Sequence, residues 1–85
     1  GDVLVVNRTL RPHYGALTVV TLDAPDSPDV VDGALLVRHY CPDSAAIHLL
    51  PAHPDIAPIS VRDRARCHVW GVVTGVVRRG RKRQP

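Results

Sequence analysis

Apolar positions along the chain come in short runs separated by turn-forming residues, and the runs are too brief and too rich in valine to be helices. Asp2 to Arg8 opens with Val-Leu-Val-Val and closes on polar residues, which reads as a strand buried on both faces. Pro12 and Gly15 punctuate a turn, and Ala16 to Leu22, Val- and Thr-rich, reads as a second strand lying close to the first. Residues 23 to 33 hold two prolines and four aspartates and close on Asp32-Gly33, a loop or extended hairpin tip in which no helix survives. Ala34 to Tyr40 and Ala45 to Leu50 make a hairpin about the turn Cys41-Pro-Asp-Ser.

Pro51, Pro54 and Pro58 each remove a backbone donor, so the segment that holds them crosses the domain irregularly, with a brief strand at Ile59 to Val61 and a charged turn over Arg62 to Arg66. The last run, His68 to Val77, places Val69, Gly71, Val73, Gly75 and Val77 on one face and His68, Trp70, Val72, Thr74 and Val76 on the other. Both faces are largely apolar. Such a strand is central or is covered by a partner, and its alternate glycines allow another chain to approach closely. Val69, Trp70, Val72, Val73 and Val76 are therefore the candidate residues of a dimer interface. The fold class is mainly β, a small domain of short strands and hairpins over residues 1 to 79 followed by a basic tail at 80 to 85.

Composition narrows the function. The chain has 85 residues, no Phe and no Met, and only Tyr14, Tyr40 and Trp70 as aromatics, so its core is Val, Leu, Ile and Ala. No apolar run nears the roughly 20 residues that a membrane helix needs, and the first residues do not read as a signal peptide, so a cytoplasmic protein with no membrane partner is expected. In that compartment Cys41 and Cys67 are expected to be free thiols. The net charge of +3 belongs to the end of the chain: Arg78, Arg79, Arg81, Lys82 and Arg83 leave six basic against eight acidic groups in residues 1 to 77. These five residues are the possible phosphate contacts, and direct contact with nucleic acid is limited at most to them.

Three segments, in order, resemble the LexA/UmuD family of self-cleaving serine peptidases. Gly1-Asp-Val-Leu-Val-Val-Asn followed by His13-Tyr-Gly is similar to the family's strand that begins Gly-Asp and leads to a turn. Leu50-Pro-Ala-His-Pro-Asp-Ile-Ala-Pro-Ile resembles its crossing segment Leu-x-Pro-x-Asn-Pro-x-Tyr-x-Pro-Ile. Val69-Trp-Gly-Val-Val-Thr-Gly-Val-Val-Arg resembles its closing strand, with a Trp-Gly-Val-Val stretch and a short basic end closer to UmuD, a polymerase accessory subunit, than to LexA.

The resemblance implies a serine nucleophile activated by a lysine that burial keeps neutral. The family's Gly-Asp-Ser-Met-type segment lies upstream of the position of Gly1, and Ser27, Ser44 and Ser60 do not match it. The family's lysine stands at the end of Asp-Gly-x-x-x-Val-Lys, and the matching stretch is Asp32-Gly-Ala-Leu-Leu-Val-Arg38. A guanidinium stays charged in any protein setting and cannot take the serine's proton, and the one lysine, Lys82, is in the tail. Ala16 and His53 also depart from the family's usual Asp and Asn, and residues 24 to 31 look inserted.

The resemblance therefore implies a UmuD-like domain of the SOS, or DNA-damage, response that is non-catalytic in this form. It would form a homodimer and dock onto an error-prone DNA polymerase subunit and a recombinase filament in translesion synthesis. Two alternatives within the family are a fragment of an active self-cleaving peptidase and a fragment of a LexA- or phage-type repressor. Gly1 is open to reading as a native start, a cleavage product or a truncation.

The alternative from another class is a small β-barrel that binds single-stranded nucleic acid, which three aromatics equip poorly for base stacking. His39, Cys41, Cys67 and His68 carry zinc-type ligands, but Cys67 and His68 are adjacent and point to opposite faces of an extended chain, so neither a metal nor a cofactor is expected. Three serines, five histidines and eight aspartates contain the parts of a catalytic triad, yet no Gly-x-Ser-x-Gly elbow marks one set.

Overall fold

The computed structural model describes residues 2 to 78. Six strands form one antiparallel sheet: β1 (Asp2–Asn7), β2 (Leu17–Leu22), β3 (Leu35–Pro42), β4 (Ile47–Leu50), β5 (Ile59–Val61) and β6 (Cys67–Arg78), in the order β1-β6-β2-β3-β4-β5. A single turn of 3₁₀ helix at Arg64–Arg66, capped by the side chain of Asp63, leads into β6. The mainly β fold expected from the valine-rich runs is the fold observed. β3 extends two residues further than expected, to Pro42, which pairs with Ile47. Proline is tolerated there because the turn closes beyond it, through the bond from Asp43 N to Ala46 O at 2.8 Å.

Two expectations about β1 are corrected. It is not beside β2, because β6 lies between them, and it is not buried on both faces, because it is an outer strand with Val3 and Val5 exposed. The reason is the length of β6. Cys67 to Val72 pair with β2 on one side, while Val72 to Arg78 pair with β1 on the other, so the two partners are staggered along one long strand. Beyond Val72 the sheet is a two-stranded ribbon of β1 and the end of β6.

Directly paired residues share a face of the sheet. On one face Val20, Leu22, Ile47 and Leu49 form the buried centre, with Ala24, Val30, Leu36, Tyr40, Ile59, Val61, Cys67 and Val69 packed around it. Leu49 and Val20 are wholly buried, as is Thr18, whose Oγ1 donates to the Arg38 carbonyl at 2.9 Å. The simple alternation expected along β6 fails at two bulges. Val19 and Val20 face Gly71 and Val69, which leaves Trp70 unmatched on the β2 side, and Val5 and Val6 face Gly75 and Val73, which leaves Thr74 unmatched on the β1 side. Each bulge resets which face the next residue takes. Val69 and Val72 thus share the core face although they are three residues apart.

Gly71 permits a close approach, but by the chain's own β1. A Cβ there would collide with Val6 Cγ1 and sit 3.2 Å from the Asn7 carbonyl. A Cβ at Gly75 would meet only Val5, at 3.9 Å.

Candidate functional site

Arg38, the residue expected to stand in place of a lysine, lies on the core face of β3, where it pairs with Thr18. Its half-buried side chain lines a cleft of about 440 Å³. One wall is the loop after β2, through Ser27, Asp29 and Val30, and the other is the crossing segment, through Ile56, Ala57, Pro58 and Ile59. Each wall follows from local sequence. In the loop, Ser27 Oγ accepts from the backbone N–H groups of Asp29 and Val30 at 3.2 and 3.1 Å, and Asp32 Oδ1 accepts from Ala24 N at 2.8 Å. Gly33, at φ +77°, returns the chain to β3 and donates to Leu22 O at 2.9 Å. In the crossing segment the prolines keep the chain irregular until β5 joins the sheet.

Two features expected to depart from the family pattern meet in space: Ser27, Asp29 and Val30 of the loop at 24 to 31 face Arg38 across the cleft. No local pattern joins the two, since the loop's return over the sheet depends on Val30 packing into the core.

Arg38 is incompletely satisfied. Its Nη1 donates to the Val37 carbonyl at 2.8 Å, while its Nε is buried with no hydrogen-bond partner, and among the described residues no carboxylate lies within ion-pair distance of it. A buried donor left unpaired costs about 1–3 kcal/mol. The cleft therefore offers an apolar wall at Ile56 to Ile59, a mixed one at Ser27, Asp29 and Val30, and an arginine donor to an acceptor group.

The candidate interface residues divide. Val72 is buried within the chain and Val69 packs against the core, so both are held by intramolecular contacts. Val73 is half-buried, and Trp70 and Val76 are exposed. The ribbon adds exposed Val3, Val5 and Val77, which the expected alternation did not single out. Trp70 carries the Arg8 guanidinium 4.2 Å from its ring centroid, and Arg8 Nε donates to the Trp70 carbonyl at 3.2 Å.

Of the basic residues near the end of the chain, Arg78 is exposed at the end of β6 with its Nε 3.9 Å from Asp2 Oδ1. Arg79, Arg81, Lys82 and Arg83 lie outside the described residues. Cys41 is buried, and Cys67 is half-buried with its thiol pKa raised by burial. The register puts the two on opposite faces of the sheet. His68 Nε2 is 2.9 Å from Asp23 Oδ2 and His39 Nδ1 is 3.1 Å from the Gly15 carbonyl, so these rings are engaged separately. Among the described residues no three His, Cys or Asp side chains are grouped to hold a metal ion, and no helix is long and apolar enough to cross a membrane.

No family model matches the chain. Over 81 residues, 95% of its length, the chain is 31% identical to the LexA repressors of Xylella fastidiosa strains M23, Temecula1 and 9a5c. The match covers 34% of each of those proteins, so the chain spans about a third of the length of the curated relatives it matches.

Proposed function

We propose that this chain is a LexA-like β domain of a DNA-damage-response protein that works by association and not by self-cleavage. The similarity to LexA repressors along nearly the whole chain supports the family and the response. Arg38 carries the non-catalytic part. It occupies the position of the family's lysine, in a cleft, and a guanidinium has no lone pair with which to accept a serine's proton. The guanidinium at this position cannot serve as the base for any serine brought to the cleft.

The test is to incubate the natural full-length protein at alkaline pH, where a buried lysine base would be neutral, and follow its mass. The expected result is an intact chain. Self-cleavage that stops in an Arg38→Ala variant would sink the proposal.

Association is supported by the ribbon. A two-stranded β unit is marginal alone in water, and this one carries exposed valines on both faces and free edges on both sides. Its occupant in this reading is a second copy of the chain, bound through Trp70, Val73, Val76 and Val77 with Val3 and Val5. The cleft at Arg38 then receives an acceptor-bearing segment of a further partner, and the protein acts in the cytoplasm. Arg78 and the basic residues after it add at most a salt-sensitive contact to DNA.

A second reading, a UmuD-like accessory that docks an error-prone polymerase subunit and a recombinase filament, is favoured by the closing Trp70-Gly-Val-Val73 stretch. The similarity to repressors favours the first. The β-barrel alternative fares worse on two observations: β1 and β5 are both outer strands, so the sheet does not close, and Trp70 is already stacked by Arg8.

A further inference from the structure

On the face of the sheet opposite Arg38, three residues that sequence reading left unassociated form one hydrogen-bonded row. Asp43 sits in the β3–β4 turn, where its Oδ1 accepts from the N–H groups of Ala45 and Ala46, both at 2.8 Å. These bonds fix the carboxylate and direct Oδ2 to His48 Nε2 at 2.7 Å. His48 pairs directly with Ser60 in the β4–β5 ladder, so their side chains share a face, and His48 Nδ1 lies 2.8 Å from Ser60 Oγ.

The proton positions follow from the acceptor at one end. The Ala46 N–H, then His48, then the Ala45 N–H lower the Asp43 pKa from 3.8 to about 2. The carboxylate is ionised at neutral pH and only accepts. The ring proton of neutral His48 is therefore on Nε2, and Nδ1 presents its lone pair to the Ser60 hydroxyl, which donates to it. That is the order of a nucleophile, its base and the group that orients the base. The ring is turned relative to the familiar serine-hydrolase arrangement, in which Asp meets Nδ1 and Ser meets Nε2. The relay needs only that one nitrogen donate to the carboxylate while the other accepts from the hydroxyl.

The geometry points to Ser60 as an acyl-accepting nucleophile, with His48 as its general base and Asp43 as the positioning residue, acting on small activated carboxylic esters. Ser60 is exposed on the outer strand of the sheet, so any ester that reaches the edge has access. In the first step a bond forms between Ser60 Oγ and the carbonyl carbon, and the ester C–O bond breaks. The hydroxyl proton passes to His48 Nδ1 and from there to the departing alkoxide. Water then attacks the acyl group with His48 again taking and returning the proton, which releases the acid and restores Ser60. Arg38 has no part in this chemistry, and the inference does not rest on the LexA-like reading.

The test uses the intact chain and a fluorophosphonate probe, with adducts located by peptide fragmentation. A positioned general base contributes roughly 10²–10⁴-fold, so Ser60 is expected to label at least about 100-fold faster than Ser27 and Ser44 of the same molecules. Labelling of Ser60 no faster than those two would overturn the proposal and leave the row as a clasp between β4 and β5. Asp43→Asn keeps an acceptor for the turn but presents an N–H to His48 Nε2, which moves the ring proton to Nδ1 and leaves no lone pair facing Ser60. Its labelling is expected to fall to the level of Ser27 and Ser44 with an unchanged circular dichroism spectrum. An Asp43→Asn chain that labels as fast as the parent would equally refute the assignment.

Discussion

Replacing Gly71 with alanine tests where the close approach at β6 takes place. The added Cβ would collide with Val6 Cγ1 and meet the Asn7 carbonyl at 3.2 Å. The first contact is closer than non-bonded carbons come, so Val6 must leave its rotamer or β1 must move. Its branched side chain has few alternatives. Overpacking of this kind costs about 1–3 kcal/mol. Alanine restricts the unfolded chain and returns about 0.4–1 kcal/mol, so the net loss centres on about 1.3 kcal/mol within a range of about 0–2.6 kcal/mol. For a domain of this size each 1 kcal/mol moves the Tm by about 4–8 °C, and the central expectation is a fall of roughly 5–10 °C.

Gly75→Ala is the control. Its Cβ would find only Val5 at 3.9 Å, ordinary contact, so the variant should match or slightly exceed the parent. The assay is thermal and urea unfolding of both variants at several protein concentrations, with Val6→Ala/Gly71→Ala as a third. If the clash is with Val6, Gly71→Ala costs much less in the Val6→Ala background than in the parent. A Gly71→Ala chain as stable as Gly75→Ala, or a loss that appears only at concentrations where the chain associates, would refute the reasoning and return Gly71 to an intermolecular role.

Leu49→Ala removes a wholly buried side chain from the centre of the core and should cost about 2–5 kcal/mol in urea unfolding, enough to leave little cooperative transition in so small a domain. The Asp43 carboxyl has a folded pKa below its unfolded value, so the stability it contributes is present above pH 3.8 and is lost as the pH falls through about 2. Acid titration followed by circular dichroism should show a loss in that window that Asp43→Asn makes shallower. A variant with the parent's slope there would contradict the linkage.

The strands were legible in the sequence because each is a short apolar run bounded by proline, glycine or aspartate. The β3–β4 hairpin and the brief β5 came out at nearly their observed limits for the same reason. The arrangement of the strands was not legible. Chain order makes β1 and β2 neighbours, and only the pairing of both with β6 shows that β6 separates them. Nor does period-two counting along β6 survive the bulges opposite Val19/Val20 and Val5/Val6, which put Val69 and Val72, on opposite faces by that count, on the same core face.

The site was half legible. Arg38 emerged from the resemblance alone, but the cleft around it required the loop and the crossing segment to be placed over one face. Asp43, His48 and Ser60 carried no local signature. A turn residue, a strand residue and its partner across the β4–β5 ladder become neighbours only once the register is known. The legible β3–β4 hairpin already places Asp43 near His48, but no local pattern sets Ser60 opposite His48.

Association through the ribbon of β1 and β6 is tested most directly by sedimentation equilibrium of the chain over a range up to high micromolar concentration, beside a Val77→Asp variant. The expected result is a dimer for the parent and a monomer for the variant, since a carboxylate on the exposed apolar ribbon must be desolvated for a second copy to bind. A parent chain that stays monomeric throughout, or a variant that dimerises as the parent does, would contradict the proposal that this domain works through that surface.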